Sequence, residues 1–436
     1  MRSMRRLIAL FVIFQLLFLT VLAVRGSWLP PGPPNILLIT VDRLRADHVS
    51  ALVAGKAQTP RIDALAARGT LFEKAFAQTE FTTNSHQCIF ASRYLSELVV
   101  PGGARVPVRT MAQVLQGMGY RTAAVPSASI LHPRLTISGP ITLSAGFDEF
   151  LGLDRLPDTP SQEVRRPGAE TTARAVSWLK ARGREPWFLF VNLRDCHRPI
   201  NLPEGWMPPP GSTRQQVYAN AVRYVDSLVG QILDTVRDSG LERNTRVVFM
   251  ADHGGDGEEA EADAYTYVPS GASSTRGLEG LYNDMVWVPL IVSVPGRAPA
   301  RVSEVVESID VMPTVLGDLA GEKLQVSGHN RFQPGGPRLA YAQTVRLEGI
   351  MVTDGRWKYI EFAQELKRYD LYRAKGTREL YDLLNDPGEK NNLVKKKQDV
   401  VERMRYALAR KFWDNQEWLG GPQVKKTGRF TPLDYF

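Results

Sequence analysis

Short, uninterrupted apolar runs alternate along this chain with stretches in which apolar residues recur every three or four positions. The runs are typical of buried parallel strands, and the recurring pattern is typical of helices that pack on a sheet. The predicted strands are 35–41, 71–77, 121–125, 187–193, 245–251 and 288–294, and the predicted helices are 60–68, 110–119, 171–181, 214–239 and 309–320. This alternation predicts an α/β fold with a mostly parallel central sheet flanked by helices.

The pattern changes after residue 320. Short strands are predicted at 349–353, 357–362 and 379–383, and a basic helix is predicted from 394 to about 413. We therefore expect a large α/β domain at 34–320, a smaller C-terminal α+β subdomain at 321–415 and a basic tail at 416–436.

Residues 1–24 are predicted to be an address segment and not part of the fold. Three arginines, Arg2, Arg5 and Arg6, precede an 18-residue apolar run at 7–24, which suits a signal peptide or a single membrane anchor. A Pro/Gly-rich linker follows at 25–33. Both alternatives predict export to the periplasm or the extracytoplasmic face of the membrane, and an anchor would also attach the protein to that membrane.

The net charge of +8 lies at the two ends of the chain, in the N-terminal arginines and the basic C-terminal region. A nucleic-acid-binding protein usually carries a basic stripe on the body of its fold, so we expect no nucleic-acid partner. The 43% hydrophobic and 23% charged residues are ordinary for a globular protein. Two cysteines, Cys88 and Cys196, are too few for a disulfide framework, and we expect unpaired, mostly buried thiols.

Two acidic residues stand at the ends of predicted strands. Asp42 directly follows 35–41, and Asp252 directly follows 245–251, with His253 next. Because ligands bind beyond the carboxyl ends of the strands in α/β sheets, these three side chains are expected to converge on a divalent metal ion. The alternative for each Asp taken alone is a turn residue or a helix cap.

A hydroxyl group beside that metal is predicted from the segment 80–92, a polar turn that leads into a helix. A helix N-terminus favours an anion, and Thr82 stands at this one. A hydroxyl is a weak nucleophile at neutral pH, so Thr82 would need activation by the metal ion. The alternative is that Thr82 or Thr83 serves only as the N-cap of the helix.

Six segments together point to a known family. They are PNILLITVDRLRADH (34–48), TPRIDALAARGTLFEKAFAQ (59–78), TRVVFMADHGG (245–255), VPLIVSVPG (288–296), IDVMPTVLGDLAG (309–321) and ELYDLLNDPGEKNNL (379–393). In order and spacing these segments resemble the sulfatase family of the alkaline-phosphatase superfamily. The resemblance implies an alkaline-phosphatase-like fold and hydrolysis of an ester substrate, either a small molecule or a glycan or lipid ester.

The resemblance also implies roles for particular residues. As metal ligands it implies Asp42, Thr82, Asp252 and His253, and as catalytic residues Thr82, His86 and His197. We also expect Arg43, Asn84 and Asp195, which stand beside these residues in the sequence, to bind the substrate. Taken singly, His86 and His197 would more often be structural.

Departures from the family pattern shift the expected chemistry. Sulfatases carry a Cys or Ser that is converted to an aldehyde hydrate, and Thr82 cannot undergo this conversion. Relatives that use Thr include phosphodiesterases, phosphonate hydrolases and phosphoethanolamine or phosphoglycerol transferases, so Thr82 favours phosphoric or phosphonic esters. Arg43 stands where many sulfatases place another Asp ligand, which favours one zinc or manganese ion over calcium or magnesium.

Two other functions remain as alternatives. One is a true sulfatase, and the other is a catalytically inactive, membrane-anchored member of the family. The loop after His253 is strongly acidic at 256–263 and is expected to be a solvated lid and not a second metal site.

Overall fold

The computed structural model describes Gln15 and residues 32–98, 108–132, 141–153, 164–183, 185–255, 280–320, 324–335, 338–368 and 371–418. The predicted address segment 1–24 lies outside the described residues except for Gln15. Most of the linker, the acidic loop 256–263 and most of the basic tail lie outside them as well. Among the helices that are described, none combines the length and the apolar character needed to cross a bilayer.

The strands of the described residues are β1 (Asn35–Val41), β2 (Thr70–Phe76), β3 (Arg121–Pro126), β4 (Glu149–Phe150), β5 (Trp187–Leu193), β6 (Thr245–Ala251), β7 (Trp287–Ser293), β8 (Ala300–Glu307), β9 (Ala340–Gln343), β10 (Gly349–Thr353), β11 (Trp357–Phe362), β12 (Leu366–Arg368), β13 (Leu371–Arg373) and β14 (Arg378–Asp382). The α-helices are α1 (Pro60–Arg68), α2 (Thr82–Ala91), α3 (Leu95–Leu98), α4 (Met111–Gly117), α5 (Gly168–Lys180), α6 (Arg214–Asp238), α7 (Asn283–Val286), α8 (Val311–Ala320) and α9 (Gln398–Trp418).

The large sheet has eight strands in the order β4-β3-β5-β1-β6-β7-β2-β8. All of its neighbouring pairs are parallel except the two that involve β7, which runs antiparallel to both β6 and β2. The predicted α/β fold with a mostly parallel sheet is therefore confirmed. Strands β1, β5 and β6 are neighbours at the centre, and every residue in them is buried, which explains their uninterrupted apolar sequences.

The sheet edges were harder to predict than its centre. Strand β8 is an edge strand whose first residues are largely exposed and polar, so it lacks the apolar run that marks the central strands. Strand β4, at the other edge, contains only two residues. Two helix starts are explained by capping boxes, in which Thr110 pairs with Gln113 and Thr213 pairs with Gln216.

The C-terminal subdomain contains an antiparallel sheet in the order β14-β11-β10-β9, and α9 packs on it through Val401, Met404 and Leu408. The predicted smaller α+β subdomain is thus confirmed. Its first strand is bonded to the chain just before α2: the amide of Gln343 donates to the carbonyl of Gln78 at 3.0 Å. The amide of Val345 donates to the Glu80 carboxylate at 3.3 Å. The subdomain therefore holds the segment that leads to Thr82.

Candidate metal and nucleophile site

Three neighbouring strands end at the same edge of the large sheet and place charged residues there. Asp42 follows β1, Arg194 follows β5 and Asp252 follows β6. The backbone amide of Asp42 donates to the carbonyl of Leu193 at 2.8 Å, so the parallel pairing continues one residue beyond the strands. Both carboxylates are fully buried. The regular register of the sheet therefore fixes the two acidic side chains relative to each other.

Thr82 is the first residue of α2, and its hydroxyl faces this strand edge. Its Oγ1 lies 3.2 Å from Oδ2 of Asp42 and 3.2 Å from Nε2 of His253. The residue at the N-cap is Phe81, and the Thr83 hydroxyl donates to the carbonyl of Ile130. Neither threonine hydroxyl caps the helix, so the capping alternative is wrong.

The residues around Thr82 fit a divalent metal ion. Asp42, Asp252 and His253 each offer one ligand atom, and these three atoms lie within 4.8 Å of one another. Oδ1 of Asp42 and Oδ2 of Asp252 are buried and have no hydrogen-bond partner among the described residues. A buried, unpaired carboxylate oxygen is costly unless a cation is close to it.

The imidazole of His253 has the orientation that a metal ligand needs. Its Nδ1 lies 2.8 Å from the carbonyl oxygen of Gly254. A carbonyl can only accept, so we assign the ring proton to Nδ1, which leaves the lone pair of Nε2 directed toward Asp42 and Thr82. Burial, as the largest cause, lowers the pKa of His253 to about 4, which also favours the neutral ring.

Arg194 is a site residue that the sequence analysis missed. Its guanidinium forms a buried ion pair with Oδ2 of Asp42, and Nη1 lies 3.4 Å from Oγ1 of Thr82. The sequence contained a feature that could have identified it: Arg194 directly follows a buried strand, as Asp42 and Asp252 do. A guanidinium group is not a metal ligand, so the expected ligand set of carboxylates and an imidazole did not include this residue.

Burial opposes the charge on both carboxyl groups, but their neighbours shift the two pKa values in opposite directions. For Asp42, the positive charge of Arg194 helps to outweigh burial and holds the pKa below its usual range. For Asp252, burial and then the negative charge of Asp42 raise the pKa well above its usual range. Two close carboxylates therefore share an excess of negative charge that a cation would relieve.

His86 is completely buried one turn into α2. Its Nδ1 lies 2.7 Å from the carbonyl oxygen of Thr82, and its Nε2 lies 3.0 Å from the hydroxyl of Thr40. Both ring nitrogens are thus occupied by protein groups. Next to it, the hydroxyl of Ser85 donates to the carbonyl of Asp252 at 2.6 Å, which ties α2 to the end of β6.

The other predicted residues lie around this centre in different settings. The Asp195 carboxylate accepts a hydrogen bond of 3.0 Å from the amide of Gly168, the first residue of α5, and burial raises its pKa to about 6.

His197 is half-buried, and its Nδ1 lies 2.5 Å from the carbonyl of Arg198. Burial is the largest cause that lowers the pKa of His197 to about 2, and the charge of Asp42 acts in the opposite sense. Asn84 is half-buried on α2.

Arg43 has a left-handed backbone conformation, with φ of 60°, directly after Asp42. Such a conformation is unfavourable for a residue with a side chain and persists where surrounding contacts enforce it. Here Tyr218 of α6 supplies them: its hydroxyl donates to the carbonyl of Arg43 at 2.6 Å and accepts from the amide of Arg45 at 3.0 Å.

Cys88 and Cys196 are both buried and unpaired, as predicted.

Comparisons with known proteins find related sequences and structures that cover most of the chain. Residues 34–321 match the model of the Sulfatase family. The chain is 24% identical to an N-acetylgalactosamine-6-O-sulfatase from Bacteroides thetaiotaomicron, over 86% of this chain and 92% of the relative. It is 24% identical to a choline-sulfatase from Rhizobium meliloti, over 85% and 84%. A solved phosphonate monoester hydrolase of Agrobacterium radiobacter superposes with a TM-score of 0.66 at 19% identity, over 88% of this chain and 96% of that one.

Proposed function

Because the chain belongs to the sulfatase family and is a hydrolase that acts on ester bonds, we propose that it cleaves phosphoric or phosphonic esters with Thr82 as the nucleophile. The observation that carries this proposal is the position of the Thr82 hydroxyl, 3.2 Å from both Asp42 and His253. A threonine at this place supplies an oxygen nucleophile but cannot form the aldehyde hydrate of true sulfatases.

We propose that Asp42, Thr82, Asp252 and His253 hold one divalent ion. One imidazole nitrogen among oxygen ligands suits zinc or manganese better than calcium or magnesium, which prefer oxygen alone. When bound, such an ion lowers the pKa of a coordinated hydroxyl group and stabilises negative charge on an ester oxygen.

The chain's own groups then have distinct tasks. Oγ1 of Thr82 forms a bond to phosphorus, the bond to the leaving oxygen breaks, and the hydroxyl proton of Thr82 ends on that leaving oxygen, because Arg194 keeps Asp42 ionised. The guanidinium of Arg194 lies beside the reacting oxygen and stabilises the negative charge that develops on the phosphoryl group. The covalent intermediate is released when the oxygen of water, or of an acceptor alcohol, attacks the phosphorus, the bond between phosphorus and Oγ1 of Thr82 breaks, and Oγ1 takes up the proton that the attacking oxygen loses.

Of the two histidines, we propose that only His197 reaches the substrate. His86 acts as a positioning residue, since both of its nitrogens bond to protein groups at the start of α2 and on β1. In His197 the bond from Nδ1 to a carbonyl leaves Nε2 as the nitrogen that can meet the anion or its leaving oxygen. Arg43, Asn84 and Asp195 remain proposed substrate-binding residues, Asp195 through its effect on the start of α5.

A sulfuric ester is the second candidate substrate, and the printed names of the sulfatase relatives favour it. In that case Thr82 would attack the sulfur directly and form a sulfate ester at its own hydroxyl oxygen.

We also propose that residues 1–24 direct export, so that the enzyme works outside the cytoplasm. The domain boundaries that we propose remain 34–320 and 321–415; β9, the first strand of the small sheet, begins at Ala340, after the first of these domains.

The test is a panel of aryl phosphate monoesters, phosphodiesters, phosphonate monoesters and sulfates, each assayed with zinc, manganese, calcium and magnesium. We expect turnover of the phosphorus esters with zinc or manganese, and a loss of at least about a thousandfold in Thr82→Ala. Thr83→Ala is the matched control, since it removes the adjacent hydroxyl without touching the site. Undiminished turnover in Thr82→Ala would overturn the nucleophile, and turnover of sulfates alone would favour the second candidate.

A further inference from the structure

Two polar residues interrupt the apolar sequences of the central strands. Thr40 on β1 and Asn192 on β5 are completely buried, although the other residues of 36–41 and 187–193 are hydrophobic. The two residues are partners in the register of the parallel strands, so they lie side by side. Burying a polar group is costly unless it is hydrogen-bonded, so this pair serves a purpose other than packing.

The pair lies on the face of the sheet that carries the candidate site. Side chains two positions apart on a strand point to the same face, so Thr40 shares a face with Asp42. Helix α2 covers this face: Oγ1 of Thr82 lies 3.2 Å from Oδ2 of Asp42, and Nε2 of His86 lies 3.0 Å from Oγ1 of Thr40. The buried pair therefore supports the same helix that carries the proposed nucleophile.

The directions of the hydrogen bonds in this cluster follow from the chemistry of its groups. Nδ1 of His86 lies 2.7 Å from the carbonyl oxygen of Thr82 and 3.6 Å from Oδ2 of Asp252. The carbonyl can only accept, so we assign the ring proton to Nδ1. The ring is completely buried, which favours its neutral form, and Nε2 of the neutral ring accepts. The Thr40 hydroxyl thus donates to Nε2, and its oxygen accepts from Nδ2 of Asn192 at 3.2 Å.

The imidazole ring of His86 is also held by packing. Its centroid lies 5.6 Å from that of Phe190 on β5 and 6.5 Å from that of Phe90, the next turn of α2. The adjacent Ser85 bonds to the end of β6. Helix α2 is thus attached through two successive residues to the three strands whose ends carry Asp42, Arg194 and Asp252.

We propose that Thr40 and Asn192 are positioning residues: together with His86 they form a hydrogen-bond relay that holds the first turn of α2, so that the Thr82 hydroxyl faces Asp42. The inference rests on the proposed function, because it assumes that Thr82 is the reacting residue. A displacement of about 1 Å at a reacting group can reduce a rate by about a hundredfold, so the relay acts mainly on kcat.

The kinetic test compares two substitutions of the same residue. Thr40→Val replaces the hydroxyl by a methyl group of similar size, whereas Thr40→Ser keeps the hydroxyl. With 4-nitrophenyl phenylphosphonate and zinc or manganese, we expect Thr40→Val to lower kcat by about ten- to a hundredfold and to change KM by less than about threefold. Thr40→Ser should keep kcat within about threefold of the wild-type value. Equal kcat values in the two variants would overturn the proposal.

Thr122→Val is the matched control. Thr122 is a completely buried threonine of the same sheet, on β3, and its hydroxyl donates to the carbonyl of Gly146 at 2.7 Å. Its substitution removes a buried hydrogen bond outside the relay, so it should lower the free energy of unfolding and leave kcat unchanged. A loss of kcat as large as that in Thr40→Val would mean that any lost hydroxyl in the sheet impairs the enzyme, and the relay would be rejected.

Asn192→Ala tests the other end of the relay. We expect kcat to fall by about three- to tenfold, because the Thr40 hydroxyl loses the donor that orients it. The double variant Thr40→Val/Asn192→Ala should be no slower than Thr40→Val, since the amide of Asn192 has already lost its acceptor there. Additive losses would show that the two residues act independently and would overturn the relay. If Thr40→Val does not fold, Asn192→Ala decides alone, and an unchanged kcat in it rejects the relay.

Hydrogen exchange separates this inference from the proposed function, because it needs no turnover. We expect the backbone amides of 82–88 to exchange faster in Thr40→Val than in the wild-type protein, and at the wild-type rate in Thr40→Ser and Thr122→Val. If this pattern is found but no ester is cleaved, the relay stands as the support of α2 and the proposed reaction fails. Unchanged exchange of these amides in Thr40→Val would reject the relay, even if turnover that depends on Thr82 is established.

Discussion

The hydroxyl of Thr82 lies 3.2 Å from Oδ2 of Asp42, although 40 positions separate the two residues in the sequence. Asp42 is fixed by the pairing of β1 with β5, which extends to its own amide. Thr82 is fixed by α2, which Ser85 ties to the carbonyl of Asp252. Both partners therefore sit on rigid elements, and the geometry of the pair does not depend on a loop.

Metal binding is predicted to depend on Asp252. Its replacement in Asp252→Asn removes one of the buried carboxylates, and we expect metal affinity to fall by at least about tenfold. Metal content of the purified protein, measured by mass spectrometry after dialysis against zinc or manganese, checks this. Asp226→Asn changes a buried carboxyl that accepts hydrogen bonds at the start of α1, and it serves as the control. Equal metal content in the two variants would contradict the ligand assignment.

Arg194 is predicted to act on the reaction and not on metal binding. Arg194→Gln removes the positive charge beside Thr82, so kcat should fall by roughly 10²- to 10³-fold. Metal content should not fall, because the cation that competes for Asp42 is gone. Steady-state kinetics together with metal analysis separate the two effects. The control is Arg121→Gln, a change to a half-exposed arginine of the same sheet, and a normal kcat in Arg194→Gln would remove this residue from the mechanism.

The hydroxyl of Tyr218 is predicted to position the turn that carries Arg43. Tyr218→Phe leaves the Arg43 carbonyl and the Arg45 amide without their partner, so the free energy of unfolding should fall by roughly 1–3 kcal/mol. Urea denaturation measures this change. Tyr224→Phe, further along α6 and without a bond to the turn, is the matched control. If KM rises in Tyr218→Phe alone, the turn also positions the substrate; identical stability of the two variants would refute the prediction.

Asp226 is predicted to make folding stability depend on pH. Burial, as the largest cause, raises its pKa from 3.8 to about 6, against the hydrogen bonds from the amides of Ile62 and Arg61. Above about pH 4 the folded protein then holds this proton more tightly than the unfolded chain, so its contribution to stability declines as pH rises through 6.

Denaturant titrations of the wild-type protein and Asp226→Asn at pH values from 4 to 7 check this prediction. The wild-type protein should lose stability relative to the variant as pH increases. A difference that changes in the opposite direction would mean that the two amide bonds to the carboxylate outweigh its burial.

The sequence predicted the bounds of secondary-structure elements best where complete burial alone determines which residues an element contains. The three central strands are buried on both faces, so their apolar runs predicted β1, β5 and β6 with the correct ends, and those ends located Asp42 and Asp252. The start of α5 was predicted three residues too late. Its first turn begins at Gly168, where the amide bonds to Asp195, and such a long-range bond has no signature in the local sequence.

Contacts between side chains that are distant in the sequence could not be predicted from the residue type at either position. Arg194 forms its ion pair across two strands, and the role of His86 follows only from the contacts of its two ring nitrogens. The capping alternative for Thr82 was equally consistent with the local sequence. It was excluded by Asp42 and His253, which approach the hydroxyl from distant parts of the chain.

The bond between Gln343 and Gln78 has a consequence for how this protein can be divided. A chain shortened to residue 320 would keep every strand that carries a proposed metal ligand. It would nevertheless lose β9, which bonds to the segment that precedes α2. It would also lose the hydrogen bond that the amide of Val345 donates to the Glu80 carboxylate. Truncation would thus loosen the segment that leads to the proposed nucleophile while sparing its proposed ligands, so the last quarter of the polypeptide supports the candidate site as directly as the large sheet does.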